Sequence, residues 1–488
     1  MDMNFFKKST KNQTDEQVQS NEASTPDIRS LQTTCHVEDN IEKLKTAFSS
    51  TQDFDTRYFS NGDQKYGMAF IKTIVKKDII DHFLIEPLVI NSSLSPANLP
   101  VAHVSAYTCF EDIINNMLDG NIALFKEGDT ACYLVEAADF KTRSIEEPAS
   151  EQSIRGSHEG FVEKIEDNLN LIRKRVKTEN LVVKTKTLGS YPKATAALFY
   201  INGKADPEVI EKIEKKLDSI HLDTAINTEV IQNYIEDSVY SPFPQILNTE
   251  KPNRVAHHLS MGAVGLMTEG SSTVFLMPIT FFTFFHAADD IESRFYISSF
   301  ERILRLFALF LAITLPSFYI ALVSFDFEII PLNLVANVKG SLENIPYSPL
   351  IEALIMVVIL ELLKESAIRL PSSVSPTIGV VGALVIGTAI VQANLVSNTM
   401  LIVIAITAIS AFTIPNQEVA QMIRILNFPL IIITYIFGLV GIAIGFTLII
   451  YHLCELESMG KPYLAPVAPF NFKSLSKMLF KIPFKKES

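Results

Sequence analysis

The feature that most constrains the fold is a series of long apolar segments in the last third of the chain. A helix needs about 20 predominantly apolar residues to cross the hydrocarbon core of a membrane, and Leu306–Phe325, Thr377–Val396 and Phe428–Leu453 each have that length. Met400–Ile414 is shorter, but it carries no charge and closely follows the preceding segment, as in a helical hairpin. These segments predict a bundle of four membrane-spanning helices within residues 301–455.

Basic residues beside the apolar segments predict their orientation. Arg294, Arg302 and Arg305 precede the first segment, and a basic tail over residues 456–488 follows the last. Short flanks rich in Lys and Arg stay in the cytosol. We therefore expect a multi-pass protein of the lipid bilayer whose N- and C-termini are both cytosolic, with an even number of crossings.

The segment Leu350–Leu370 is apolar but interrupted by charges. Four of its ionisable side chains fall on one stripe at about 100° per residue: Glu361, Lys364, Glu365 and Arg369. One interpretation is an amphipathic helix on the outer surface. The other is a fifth helix inside the bundle, where ionisable residues commonly mark an ion or substrate path. A fifth span would make the number of crossings odd, so one of the other spans would then be wrong. The stripe is the candidate functional site.

Small residues predict where the helices pack against each other. They recur at spacings of four in two segments: Gly379, Ala383 and Gly387, then Gly441 and Gly445. Such faces let helix backbones approach closely in lipid. We interpret both sets as helix-packing faces.

The chain before the apolar segments divides into a polar leader and an α/β region. Residues 1–35 are too polar to bury a core and are predicted to be disordered. Beyond them, helix-like and strand-like patterns alternate, as where the strand-like Ala194–Ile201 precedes the helix-like Pro207–Leu217. The predicted fold is multi-domain: a cytosolic α/β region followed by an all-α transmembrane helical bundle.

An internal repeat divides the α/β region into two related subdomains, residues 36–150 and 151–300. In each, a helix-like segment ends at a Gly and leads into a strand, a Glu-Gly turn and a second strand. The first copy runs from Glu111 to Val135, and the second from Arg254 to Met277. Gly suits both positions because a helix C-terminus and a hairpin turn often need a positive φ.

Composition and motifs exclude several classes of function. The net charge of -12 disfavours a nucleic-acid partner. The four cysteines lie far apart without zinc-ligand spacing, and the chain lacks a phosphate-binding loop and a nucleophile motif. We expect no enzymatic activity, no cofactor and no metal.

A basic cluster, Arg173 to Lys177, lies at the end of a predicted helix, where cations suit the helix dipole. We interpret it as a solvated face, with docking on a partner or on lipid headgroups as the alternative.

Several short blocks between about Arg143 and Pro466 together resemble the A subunit of the GerA-type spore germinant receptors. They include Ser241-Pro242-Phe243-Pro244-Gln245, Arg369-Leu370-Pro371 and the closing Gly460-Lys461-Pro462-Tyr463-Leu464-Ala465-Pro466. Their order and spacing make the likeness specific. The chain departs from the family pattern at Asn253, where Asp is common, and at Lys364 and Asn427, where Arg is usual.

The resemblance implies a receptor subunit in the spore inner membrane that acts with a transporter-like B subunit and a lipoprotein C subunit. It implies that the chain helps to couple nutrient detection to ion release and the start of germination. Assembly of the helices as a homo-oligomeric ion channel is one hypothesis for how it does so. The alternative is a stand-alone multi-spanning transporter, although the segments show no clear inverted repeat.

Overall fold

The computed structural model describes residues 28–90, 95–101, 103–140, 151, 157–189, 193–220, 228–290, 293–343, 345–369 and 387–481. They form an α/β head of two subdomains followed by a helical region. The predicted α/β region is therefore confirmed. The boundary predicted at residue 150 lies outside the described residues.

The first subdomain is a five-stranded antiparallel sheet with the strand order β1-β2-β4-β5-β3. Its helices form because apolar residues recur at helical spacing; in α3, Phe110, Ile113 and Met117 share the buried face. The elements are α1 (Val37–Ala47), β1 (Phe54–Asn61), β2 (Gln64–Ile71), α2 (Glu86–Ile90), β3 (Val104–Tyr107), α3 (Phe110–Leu118), β4 (Asn121–Lys126) and β5 (Cys132–Glu136).

The second subdomain repeats this arrangement, with the order β6-β7-β9-β10-β8. Alternate residues of its strands point to opposite faces, so α4 and α7 cover one face and α5 and α6 cover the other. The elements are α4 (Ile165–Arg175), β6 (Leu181–Leu188), β7 (Ala194–Ile201), α5 (Pro207–Asp218), α6 (Thr228–Ile235), β8 (Leu247–Thr249), α7 (Pro252–Ser260), β9 (Val264–Thr268) and β10 (Val274–Met277).

The glycines that indicated the repeat occupy matching positions. Gly120 follows α3 with φ +92, and Gly262 follows α7 with φ +95. The hairpin glycines Gly128 and Gly270 have φ +84 and +86. Each pair therefore has the left-handed backbone that the sequence pattern predicts.

Two polar contacts are also repeated. The Asn40 side chain accepts a hydrogen bond from Thr34 N (2.9 Å) and donates one to Thr34 O (2.7 Å), and Asn168 makes the same pair with Val162 (2.8 and 2.5 Å). In addition, a turn glutamate in each copy accepts from the first backbone N–H of the opening helix. The two subdomains thus share side-chain chemistry as well as topology.

The interface between the subdomains corrects the interpretation of the basic cluster. Arg173 is buried and donates two hydrogen bonds to Asp53 of the first subdomain. Arg175 is also mostly buried and pairs with Glu159. The expected solvated face is therefore wrong for these two residues. Helical periodicity places a cation on a face, but it does not reveal which neighbouring domain covers that face.

The predicted disordered leader extends too far. Most of it lies outside the described residues, but from Ile28 onward the chain packs against the head. Arg29 forms an ion pair with Glu179 (2.7 Å), and Gln32 makes a β-bridge to Cys109. A polar segment of low hydrophobicity can still be ordered when a folded surface supplies the partners for its backbone.

The helical region after the head contains α8 (Phe295–Ser324), α9 (Leu332–Leu342), α10 (Pro349–Arg369), α11 (Asn398–Phe412), α12 (Gln417–Phe437) and α13 (Leu439–Glu455). By length and composition, α8 and α12 are able to cross a membrane, while α11 and α13 are shorter apolar helices. Helices α8 and α12 run away from the head. Helices α10, α11 and α13 run back toward it.

The predicted single span Phe428–Leu453 is wrong, because α12 ends at Gly438 and α13 turns back along it. Gly438 has φ 60 and ψ -142, a conformation that residues with a Cβ rarely adopt. Hydropathy misses this turn because Gly438 lies within a continuous apolar run. The predicted span Thr377–Val396 lies largely outside the described residues.

The chain after α13 packs onto the second subdomain. It contains the hairpin β11 (Glu457–Ser458) and β12 (Lys461–Pro462) and the helix α14 (Phe472–Leu479). Tyr463 is fully buried, and its hydroxyl donates to Pro244 O (2.6 Å). One hydrophobic core runs from the second sheet through Tyr463 into α8, α12 and α13. The head and the base of the helices therefore form one packed unit.

Candidate functional site

The predicted charged stripe lies on α10, which contacts α8, α11 and α12. Glu361 forms an ion pair with Arg424 of α12 (Oε2 to Nη1, 2.7 Å), and Lys364 Nζ lies 3.7 Å from Glu361 Oε1. Lys364 also lies over the Phe412 ring at the end of α11, 4.9 Å from its centroid. These contacts join α10 to α11 and α12.

The remaining members of the stripe are placed differently. Glu365 is exposed. Arg369 is the last residue of α10, and the placement of its side chain lies outside what the structure describes. The stripe thus divides into an inner part, Glu361 and Lys364, which contact α12 and α11, and an outer part, the exposed Glu365.

Glu352 is a buried acidic residue that the sequence analysis did not select as a site. Its Oε1 accepts hydrogen bonds from the N–H (2.6 Å) and the hydroxyl (2.5 Å) of Ser397, and the Tyr319 hydroxyl lies 3.4 Å from the same Ser397 Oγ. Its Oε2 is buried without a hydrogen-bond partner among the described residues. The sequence feature that could have indicated Glu352 is that it is a single acidic residue in the otherwise apolar first half of α10.

Beyond the first turn of α8, three further polar groups lie buried in α8 and α12. The side chains of Ser317, Asn427 and Thr434 each have an oxygen without a hydrogen-bond partner in the described part of the chain. Burying such a group is costly unless it is hydrogen-bonded. Together with Glu352 they are polar groups buried within otherwise apolar helices.

The small-residue faces have different surroundings. A Cβ on Gly441 would lie 2.6 Å from Ile433 O, and one on Gly445 would lie 2.2 Å from Leu430 Cδ1, so both residues allow α13 to approach α12. A Cβ on Gly387, in a helical turn at residues 387–392, would meet no atom of the described residues within 4 Å. Gly379 and Ala383 lie outside the described residues.

The junction between the head and the helices contains a buried carboxyl group. Glu236 follows α6 and accepts hydrogen bonds from Gln232 Nε2 (3.0 Å) and Gln245 N (3.3 Å). Burial raises its pKa above the usual value. Nearby, Ser241 Oγ and His452 Nε2 of α13 lie 2.9 Å apart. Polar contacts as well as apolar packing thus connect the head to the last helix.

No group of three or more His, Cys, Asp or Glu within the described ranges is arranged to hold a metal ion. The fold and the site define a class of protein in which an α/β head is packed onto apolar helices with charged residues between them.

The chain belongs to the GerA family, described as the Bacillus/Clostridium GerA spore germination protein, whose profile matches residues 42–488. Three similar proteins of Bacillus subtilis (strain 168) illustrate the relationship. Spore germination protein A1 is 38% identical over 76% of this chain and 77% of its own length. Spore germination protein KA is 33% identical over 91% and 84%. The uncharacterized membrane protein YfkQ is 35% identical over 92% and 89%.

Among solved structures, the chain matches the crystal structure of the N-terminal domain of the A subunit of the Bacillus megaterium spore germinant receptor GerK3. The match has a TM-score of 0.40 and 21% identity, and it covers 51% of this chain and 97% of that chain.

Proposed function

We propose that this chain is the A subunit of a germinant receptor in the spore inner membrane, where it couples nutrient detection to ion release and catalyses no reaction itself. It acts with a transporter-like B subunit and a lipoprotein C subunit, and its helices assemble as a homo-oligomer around an ion path. Membership of a spore germination family supports the general role. The Glu361–Arg424 pair between apolar helices is the observation that carries the mechanism, because such charges commonly line ion paths.

The outer surface of the helices supports a position in the membrane. On α11, four large apolar side chains are exposed at helical spacing: Ile402, Ile406, Ile409 and Phe412. Similar exposed stripes run along α12 and α13. Contiguous apolar surface of this kind is unusual on soluble domains, whereas in a bilayer it is the part of a helix that contacts lipid.

The helix directions support an even number of crossings. The part of α8 from Leu306 to Ser324 is about 28 Å long, close to the thickness of a hydrocarbon core of about 30 Å. Within the described residues, five helices (α8, α10, α11, α12 and α13) connect the two ends of the bundle, and the chain enters α8 and leaves α13 at the same end, beside the second sheet. An even number of crossings with cytosolic termini follows. Adding α10 raises the predicted number of crossings by one, and dividing Phe428–Leu453 into α12 and α13 raises it by one more. The number of crossings therefore stays even.

The shared core supports coupling between the head and the ion path. Val419 and Met422, in the first turns of α12, belong to the same core as the second sheet. Arg424 lies two residues after Met422 and pairs with Glu361. A shift of the second subdomain would therefore move the helix that carries one partner of the ion pair.

The experiment measures ion release from spores after addition of a complete nutrient mixture, in strains in which this receptor is the only one present. Glu361→Gln together with Glu365→Gln should impair release while the levels of the A, B and C subunits stay normal. Glu365→Gln alone is the matched control. It should release ions normally, because Glu365 is exposed on the outer part of the stripe.

A charge exchange tests the pair itself. Glu361→Arg should abolish release, and adding Arg424→Glu should restore part of it, since the exchange rebuilds an opposite-charge contact between α10 and α12. Normal release in the Glu361→Gln/Glu365→Gln variant would remove the stripe from the mechanism. Solute uptake into vesicles by the purified chain alone would instead favour a stand-alone transporter.

A further inference from the structure

The segment after α13 returns to the base of α8 and is held there. Arg302 Nη1 and His286 Nε2 both donate hydrogen bonds to Met478 O (3.1 and 3.2 Å), and Lys481 N donates to Ser299 Oγ (3.1 Å). These contacts fix α14 against the first turns of α8, just before its long apolar part begins.

Helix α14 is short and amphipathic. Phe472, Leu475 and Leu479 are spaced i, i+3 and i+7 and share one side, while Lys473 and Lys477 are spaced i, i+4 on the other. Apolar residues on one side and lysines on the other are typical of helices that lie in the plane of a membrane surface.

Large aromatic side chains around this helix remain in contact with solvent. Phe470 and Phe472 are 70% and 73% exposed. On the adjoining first turns of α8, Tyr296 and Phe300 are spaced i, i+4 and are also exposed. Although the chain folds back at this place and Phe295 contacts the Tyr296 ring, the described residues leave these rings mostly exposed. Farther along α8, Ile303, Phe307 and Phe310 are also exposed, so the aromatic surface continues onto the apolar part of this helix.

The height of this patch along α8 matches the headgroup layer. Ser299, which binds the end of α14, lies about 10 Å before Leu306 along the helix axis. The headgroup and interfacial layer adds several ångströms to each side of the hydrocarbon core, and interfacial helices lie about 5–10 Å deep at its boundary. Exposed cations are present at the same level: Lys473 and Lys477 of α14 and Arg294 before α8.

We propose that α14, together with Phe470 and Phe472, is an interfacial anchor that lies in the cytosolic headgroup layer and binds anionic lipid. This inference rests on the proposed membrane position of α8. The aromatic rings enter the acyl boundary, and Lys473 and Lys477 face the lipid phosphates, whose negative charge attracts juxtamembrane basic residues. Because the end of α14 is bound to Ser299 and Arg302, the anchor also holds the base of α8 at the membrane surface.

The chain contains no Trp, so one introduced Trp reports on a single place. We would place the full-length protein in lipid nanodiscs containing phosphatidylglycerol and lipids brominated on their acyl chains, which quench nearby Trp fluorescence. Phe472→Trp tests the anchor. Phe310→Trp, exposed on the apolar part of α8, tests the membrane position itself, and Tyr58→Trp on strand β1 of the head is the control outside the membrane. All three replace exposed aromatic residues.

We expect Phe310→Trp and Phe472→Trp to lose most of their emission and Tyr58→Trp to lose none. Lys473→Glu with Lys477→Glu should reduce quenching of the Trp at position 472 and leave quenching at position 310 unchanged.

Quenching of the Trp at position 310 without quenching at position 472 would overturn the anchor and leave the proposed function intact. No quenching at either position would reject the membrane position of α8. Equal quenching at 472 in discs without anionic lipid would overturn the lipid selectivity. Protection of the Trp at 472 from aqueous iodide without bromolipid quenching would show a protein contact instead.

Discussion

Arg173 of the second subdomain and Asp53 of the first form a bidentate ion pair, in which Arg173 Nε lies 2.9 Å from Asp53 Oδ2 and Arg173 Nη2 lies 2.7 Å from Asp53 Oδ1. The two side chains are 1% and 5% exposed. Arg173 also donates to Leu181 O at the start of β6 (2.8 Å), and Thr51 and Thr73 donate to the Asp53 carboxylate. The pair thus ties α4 and β6 to the segment that enters the first sheet.

Asp53→Asn should destabilise the contact between the subdomains by about 3–5 kcal/mol, because it leaves the Arg173 cation buried without its opposite charge. Hydrogen exchange of the backbone N–H groups of Gln52 and Val183, which are bonded across this contact, measures the change. Asp119→Asn is the matched control. It removes the exposed Lys177–Asp119 pair between the same subdomains and should change stability by less than about 1 kcal/mol. Equal effects of the two variants would contradict the special role of burial.

The equivalent asparagines Asn40 and Asn168 predict similar losses of stability in the two subdomains when either is replaced. Asn40→Ala and Asn168→Ala should each destabilise the start of their subdomain by about 1–3 kcal/mol, because each leaves a backbone N–H and a C=O without a partner. Exchange of the Thr34 and Val162 amides should accelerate locally in each case. Asn202→Ala is the control, since its side chain makes one exposed hydrogen bond. A loss confined to one copy would show that the repeat is topological only.

Adding a single methyl group at Gly441 should destabilise the hairpin of α12 and α13. Gly441→Ala would place a Cβ 2.6 Å from Ile433 O, a backbone atom of the facing helix that moves only with the whole helix. We expect a loss of about 1–3 kcal/mol from overpacking, measured as a lower thermal midpoint and lower yield of protein folded in detergent. Gly387→Ala, whose added Cβ meets no atom of the described residues within 4 Å, should retain both values.

Docking of the C-terminal segment should weaken at acidic pH through His286. Burial and then the charge of Arg302 lower the pKa of this His from 6.5 to about 4, against a smaller opposing effect of Asp290. Between these two pKa values the unfolded or undocked chain binds a proton that the docked chain does not, so stability falls as the pH decreases through this window. Hydrogen exchange of the backbone N–H groups of residues 476–481, corrected for the pH dependence of the intrinsic exchange rate, should be faster at about pH 5 than at about pH 7.5.

The variant His286→Gln keeps a side-chain N–H for Met478 O but does not titrate in this range. Its exchange at residues 476–481 should therefore depend less on pH than that of the natural chain. An unchanged pH dependence in this variant would assign the titration to another group.

Local patterns in the sequence were sufficient to predict much of the architecture. The helix α5 and the strand β7 lie within a residue of their predicted positions, because amphipathic periodicity, Pro at a helix start and alternation of apolar residues act within a few turns of chain. The repeat was visible because Gly120 and Gly262 must both supply a positive φ. The apolar segments showed where the α/β region ends, because a long apolar run suits only a buried or lipid-facing helix.

Only the tertiary structure decided which of the charged and polar residues are partners. The sequence places Arg173 and Glu361 on helix faces, but their partners Asp53 and Arg424 are distant in the chain and come close only when whole elements pack. The turn at Gly438 is likewise invisible to hydropathy, because both arms and the turn are apolar and the chain reverses through one backbone conformation. Sequence alone thus determined the types of element and the places for glycine. Packing between residues distant in the chain determined the contacts between the subdomains, the partners of the inner part of the stripe and the reversal of the chain at Gly438.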